Sequence, residues 1–329
     1  MPIGTGLAAQ LGFGEEITVG TGVTPTRFYE FNQESLKQTI ERVESNGLGS
    51  GRQFTNNWVV GRKSVEGDVE FDVTSNGFGV IPKYLVGGTP VTTTPGGGTL
   101  SRLHTTKVGA LDAKSLTTQV GRPTSAGVVT PFTYAGCKVA SWELDMAAPD
   151  GILNCKMSLD GMSETTATAL ATPVYPAVSP LLSWSDVNII FTIGGTNYSI
   201  KHINLQGNNA LKTDRYALGS PNKKESLEGT DKREYSGTID MESYLGTTAY
   251  SLFTAGTEAA IVAKFTGANI EAALNHSVQI SLARVRFDGE TPNVGGPDML
   301  ENALPFKVLY SPAASTSIQF DVQNTDIAA

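Results

Sequence analysis

Glu66-Gly67-Asp68-Val69-Glu70-Phe71-Asp72 and, 170 positions further on, Ser236-Gly237-Thr238-Ile239-Asp240-Met241-Glu242 are two readings of one pattern. In each, a glycine leads a run that alternates apolar and polar or acidic residues, the period of a half-buried β-strand. The first run continues into Gly77-Phe78-Gly79-Val80-Ile81-Pro82-Lys83-Tyr84-Leu85 and the second into Gly246-Thr247-Thr248-Ala249-Tyr250-Ser251-Leu252-Phe253. These amphipathic segments stop at Gly87 and Gly256, which predicts short helices near 77–86 and 246–255. A unit that occurs twice predicts a mainly β chain of two tandem β-sandwich units, and with it a symmetric or pseudo-symmetric assembly.

Working outward, 329 residues are enough for two domains, each with its own core. Thirty-six glycines among many Thr, Ser and Val residues favour strands and turns over long helices. The net charge of −8 and pI near 5.0 argue against a protein that grips nucleic acid by its phosphates. No basic residue precedes Arg27 and no apolar run reaches the length of a signal sequence or a membrane span, so neither secretion by a cleaved signal nor membrane insertion is expected. Cys137 and Cys155 fall on adjacent strands of a predicted hairpin. A bridge between them is conceivable, but two small buried thiols suit a reducing cytoplasm better.

The glycine-rich residues 1–27 read as a docking arm, with an apolar patch from Leu7 to Leu11. Residues 28–164 form the first domain: a strand candidate at 28–40, a loop at 41–66, and a presumed insertion at about 88–135 that the second half lacks. The clearest hairpin is 136–161, where Trp142, Leu144 and Met146 alternate with Ser141, Glu143 and Asp145. An Ala-, Thr- and Pro-rich linker at 165–183 leads to a second domain at 184–329. That domain opens with a hairpin around Gly194-Gly195, a pair suited to a two-residue primed turn. A mixed-charge loop at 207–235 follows, then strands at 236–243, 277–288 and 305–312.

Catalytic signatures are missing: the sequence has no Gly-x-Ser-x-Gly, phosphate loop, His-Glu-x-x-His or Cys-x-x-Cys. His104, His202 and His276 stand apart in sequence and read as surface or loop histidines. Asp68, Glu70 and Asp72 share one strand face, a pattern that fits a hydrolase pair, a cation site, a collective acidic surface, or simply a solvated sheet face. Glu143 with Asp145, and Asp240 with Glu242, repeat the pattern, and repetition favours a surface over a unique catalytic pair.

The order Gly6-Leu7-Ala8-Ala9-Gln10-Leu11-Gly12, Thr24-Pro25-Thr26-Arg27-Phe28-Tyr29-Glu30-Phe31, Glu34-Ser35-Leu36-Lys37, Gly61-Arg62-Lys63 and Gly67 to Leu85 resembles the tail tube proteins (major tail proteins) of long, non-contractile-tailed bacteriophages. The likeness extends to Trp184 onward and to Gly229–Asp240, and so covers most of the chain. It implies β-sandwich units with a short flanking helix, whose sheets join those of neighbours in a closed β-barrel ring. Rings stack into the conduit for DNA ejection into the host. Single-domain members close six copies; a duplicated chain suggests trimers with pseudo-sixfold symmetry, and three against six stays open. The resemblance implies a non-enzymatic virion protein without a cofactor, made in the host cytoplasm. It also implies as partners the tape measure protein, the tail terminator, the distal tail protein and other copies of itself, while DNA passes through the lumen without specific binding.

On that reading Asp68, Glu70, Asp72, Glu143, Asp145, Asp240 and Glu242 are candidates to face the lumen, where an acidic wall would repel DNA. The candidates for ring-to-ring contact are Leu7, Leu11, Arg52, Lys223, Lys224, Lys232 and Arg233, and removal of residues 2–20 is expected to leave a folded subunit. The alternative is a β-sandwich phage adhesin or capsid-decoration protein. A glycoside hydrolase using Glu70 and Asp72 is disfavoured, because neighbours on one strand do not flank a cleft.

Overall fold

The computed structural model describes residues 4–49, 53–149, 151–176, 181–184, 190–229, 231–241, 247–289 and 302–329. Strands dominate it. The first half runs β1 (Gln10–Glu15), β2 (Arg27–Tyr29), β3 (Gln33–Glu34), β4 (Lys37–Glu44) and β5 (Trp58–Asp72) into the short helices α1 (Ser75–Phe78) and α2 (Ile81–Val86). It continues through β6 (Val91–Thr93), β7 (Arg102–Lys107), β8 (Leu116–Pro123), β9 (Val129–Ala147), β10 (Asn154–Gly161) and β11 (Ser163–Thr165). The second half runs β12 (Ile190–Ile193), β13 (Thr196–Asn197), β14 (Ile200–Asn208), β15 (Leu211–Lys212), β16 (Leu227–Glu228) and β17 (Glu234–Met241) into α3 (Thr247–Thr254). It ends with β18 (Ala259–Glu271), β19 (Leu274–Phe287), β20 (Asn302–Val308) and β21 (Ile318–Asn324).

The two halves share a succession of antiparallel pairings. In the first, β5 pairs β10, β10 pairs β9, β9 pairs β8 and β8 pairs β1. In the second, β17 pairs β20, β20 pairs β19, β19 pairs β18 and β18 pairs β12. Registers agree as well: Gln33 faces Glu70 and Lys37 faces Glu66, as His202 faces Asp240 and Gln206 faces Ser236. The glycine that leads each sequence pattern has one cause in both places. A Cβ on Gly67 would lie 2.6 Å from the backbone of Leu36, and one on Gly237 would lie 2.3 Å from the carbonyl of Asn204. In each case a neighbouring backbone, the β3–β4 connection at Leu36 or β14 at Asn204, lies too close for a side chain.

The halves are joined edge to edge. β14 pairs β9 from His202 opposite Ala147 to Asn208 opposite Ser141, so one sheet runs β3, β5, β10, β9, β14, β17, β20. β7 leaves the first half to pair β21 in the second, and β6 pairs β7. Because β8 has β18 as its counterpart, the extra part of the first half narrows from 88–135 to β6 and β7. The buried sides pack in layers: Phe13 and Tyr29 lie 5.4 Å apart, Tyr29 lies 5.4 Å from Phe71, and Phe320 meets Trp142 edge-on at 6.0 Å. One apolar core spans both halves. Within this chain the sheet keeps open edges, including the outer side of β4. Cys137 and Cys155 are buried free thiols; burial pushes Cys137 up to about 12 and raises Cys155 as well.

Several expected elements differ. Residues 41–66 hold the two arms of a projecting hairpin, β4 and β5, and only 45–57 connects them. Both faces of its distal part are exposed, so no two-residue apolar period marked it as strand. The arm at 1–27 contains β1, which lies between β2 and β8 with Leu11 and Phe13 buried. The strand at 28–40 is divided among β2, β3 and β4, and the first helical segment forms α1, itself kinked at Gly77 with φ of +82°, and then α2. Gly194 and Gly195 do form the primed turn, with φ of +57° and +85°. The expected strand residues Val187 and Ile189 lie outside the described residues, as does Glu242.

Candidate functional site: a polar sheet face across both halves

Side chains alternate across the joined sheet, and the core takes Val69, Phe71, Met157, Leu144, Leu205 and Ile239. The opposite face is mainly polar, with Ala303 and Pro305 of β20 at its far edge. Strand register sets it out in rows: Glu70, Lys156, Glu143, Gln206, Ser236 and Lys307 form one, and Asp72, Asn154, Asp145, Asn204 and Thr238 the next. The structure thus brings Asp68, Glu70, Asp72, Glu143, Asp145 and Asp240 onto one surface, although they come from three strands spread over 170 residues of chain.

Neutral donors hold most of these carboxylates. Asn32 donates to Asp72 at 2.9 Å and Asn154 to the same oxygen at 3.3 Å; Gln33 donates to Glu70 at 2.5 Å and Ser158 to Asp68 at 2.6 Å. Asn204 donates to Glu143 and, at 3.0 Å, to Asp145, and Gln206 donates to Glu143 at 3.2 Å. Cations are distributed unevenly. Lys156 pairs with Asp68 at 3.2 Å, Lys307 pairs with Glu234, and Arg286 pairs with Asp288 at 2.9 Å. Glu70, Asp72 and Glu143 have amide partners and, among the described residues, no ion pair, so negative charge concentrates around β5, β10 and β9. A shallow depression of about 610 Å³ lies there, lined by Glu70, Asp72, Glu143, Asp145, Asn154 and Lys156. It is open to solvent, with no wall opposite the carboxylates, and a general acid and base acting from two sides of a bound sugar have no place in it. No three potential ligands gather for a metal ion among the described residues.

Two of the histidines, His104 and His276, are buried rather than at the surface or loop positions expected, while His202 is on the sheet surface. His202 lies on the polar face with Nε2 2.7 Å from Asp145 and Nδ1 3.0 Å from Asp240. Partial burial pulls its basicity down, but the hydrogen bonds to Asp145 and Asp240 outweigh that and hold it above the ordinary value. His104 is buried between Thr92 and Asn324, and His276 receives or donates a 2.7 Å bond at Ser75 Oγ. Burial lowers the pKa of both. The Ser75–His276 pair has the spacing of a nucleophile and its base, yet Ser75 is wholly buried and the pair pins α1 to β19. Sequence offered no sign of it, since the partners are 201 residues apart.

The ring-contact candidates separate. Leu7 is almost fully exposed, whereas Leu11 is fully buried in the chain's own core and has no surface for a neighbour. Lys223 is buried in an ion pair with Asp160, whose other oxygen accepts from Ser226. Burial raises the Asp160 pKa despite these partners. Arg233 is tied to Glu228 and the carbonyl of Val86, Lys224 and Lys232 are exposed, and Arg52 lies outside the described residues. Much of the 207–235 loop therefore spends its charge inside the chain: Glu225 pairs with buried Lys138 at 2.6 Å, and Tyr216 donates to the carbonyl of Lys63 at 3.2 Å.

Among the described residues the chain is an antiparallel β protein that carries a broad polar sheet face. The chain matches the family model of phage tail tube proteins over residues 6–308, nearly its whole length. It belongs to that family and is a structural component of a phage tail. No curated protein matches it. No described helix is long and apolar enough to cross a membrane.

Proposed function

We propose that copies of this chain close into rings with the polar face lining a lumen, and that the rings stack into the tube through which DNA is ejected. The supporting observation is the uninterrupted sheet: its polar face passes from one half to the other at the β9–β14 junction, and further copies placed alike would extend it until it closes. Matching pairings and registers in the two halves support two tandem units per chain, hence three chains for a pseudo-sixfold ring. The acidic concentration at Glu70, Asp72 and Glu143 would keep the DNA phosphates off the wall. The tube's ends and interior would meet the tail terminator, the distal tail protein and the tape measure protein, and the role is non-enzymatic.

Electron microscopy of the concentrated purified chain tests this. Tubes of stacked three-chain rings whose lumen exposes Glu70 and Glu143 are expected. Rings of six chains would overturn the trimer, and a polar face on the tube exterior would overturn the lumen assignment.

A further inference from the structure

We propose that His202 is a proton-operated clasp between the two halves of the chain, closed when its imidazolium donates to Asp145 of β9 and Asp240 of β17 together. The geometry carries this. Both ring nitrogens stand at hydrogen-bonding distance from carboxylate oxygens, which offer only acceptors, and a neutral imidazole has a single N–H to give. Only the doubly protonated ring satisfies both contacts. Loss of one proton sets a nitrogen lone pair against a carboxylate and releases one side.

The surroundings favour the cation. β9 brings Glu143 as well as Asp145, β17 brings Asp240, and β20 brings the uncharged Ala303 and Pro305 beside β17. The nearby positive groups are Lys201, adjacent on β14, and Lys156, on β10 beyond β9. Asn204 donates to Glu143 and Asp145 and leaves their charge in place. The position that matches His202 in the first half is Gln33, whose amide donates to Glu70 and does not titrate. The proton-dependent member therefore sits only where the halves of one chain meet. The clasp belongs to the single chain and does not depend on the tube reading.

Because the folded ring is held above its ordinary value, its stabilisation is complete below about 6.5 and is lost as pH rises through the higher folded value. The test uses the full-length chain. In an NMR titration of the imidazole carbons, the signal removed by His202→Gln should titrate above 6.5, while those of His104 and His276 titrate below it. A double-mutant cycle of His202→Gln with Asp145→Asn, read by urea unfolding, should give a coupling of about tenfold in the unfolding constant at pH 6 that falls severalfold by pH 9. A His202 signal titrating at or below 6.5, or equal coupling at both pH values, overturns the clasp. If the variants do not fold, the wild-type titration decides alone, with the signal assigned from the sequential connectivities of His202.

Discussion

Asp160 and Lys223 show how much a buried residue depends on its partner. Each is almost free of solvent contact, one on β10 and the other in the segment between β15 and β16, so the pair fixes that segment over the first half. Lys223→Met would strand a carboxylate in the core, and we expect it to cost about 3–5 kcal/mol in urea unfolding. Adding Asp160→Asn should recover most of the loss, because the uncompensated charge is gone. If the single variant is as stable as the wild type, the pair is dispensable. Gly67 and Gly237 make a second residue-scale case. Ala at either position pushes a methyl against backbone, at 2.6 Å and 2.3 Å respectively, so each substitution should destabilise by about 1–3 kcal/mol. Calorimetry that found both variants unchanged would mean the backbone approach is looser than described.

At the scale of elements, the sequence assigns contacts with neighbouring copies to both the 1–27 arm and the 41–66 segment of the β4–β5 hairpin. β1 lies within that arm, yet Leu11 and Phe13 are core, worth about 1.5–3 kcal/mol each by burial alone. Deletion of residues 2–20 should therefore unfold the subunit, and a shorter deletion of 2–8 should leave it folded; circular dichroism distinguishes the two. The hairpin instead leaves Ile40, Val43, Trp58, Val59 and Val60 exposed, with the Arg42 guanidinium 5.2 Å from the Trp58 ring. A two-stranded ribbon with apolar residues on both faces is marginal alone, and on the proposed assembly it would be a contact surface between copies. Changing Val43, Trp58 and Val60 to Ser should leave the melting temperature of the subunit within a few degrees and abolish tube formation seen by light scattering. Normal tubes from that variant would assign the hairpin another role.

Over the whole molecule, charge rather than any single group carries the proposed function. Glu70, Asp72 and Glu143 have amide donors rather than cations as hydrogen-bond partners, so their joint change to Lys would reverse the charge of the face while sparing the His202 contacts. Within a Debye length of about 8 Å the lumen would then attract phosphates. We expect such virions to assemble and to release DNA more slowly; ejection at the wild-type rate would reduce the acidic face to a solubility feature. This surface was legible in sequence because strand alternation sends Asp68, Glu70 and Asp72 to one side whatever the partners are. Gly67 and Gly237 stand out in the sequence as the leads of two similar runs, and in each place a neighbouring backbone lies too close for a side chain. His202 was not legible, since its carboxylates arrive from β9 and β17 by pairing over long separations. Nor was the fate of Lys223, because a charged loop reads alike whether it is solvated or folded back onto Asp160.

The crossing of β7 onto β21 has a consequence for the integrity of the chain. β7 of the first half pairs β21 of the second, and β9 and β14 join the halves edge to edge, so the two halves are interlocked. A protease site placed after Ala167 should yield a nicked protein whose pieces co-migrate on gel filtration and melt in a single transition. Separation of the pieces under native conditions would contradict the interlock. Either half, made alone, would present an unfilled sheet edge to the cell.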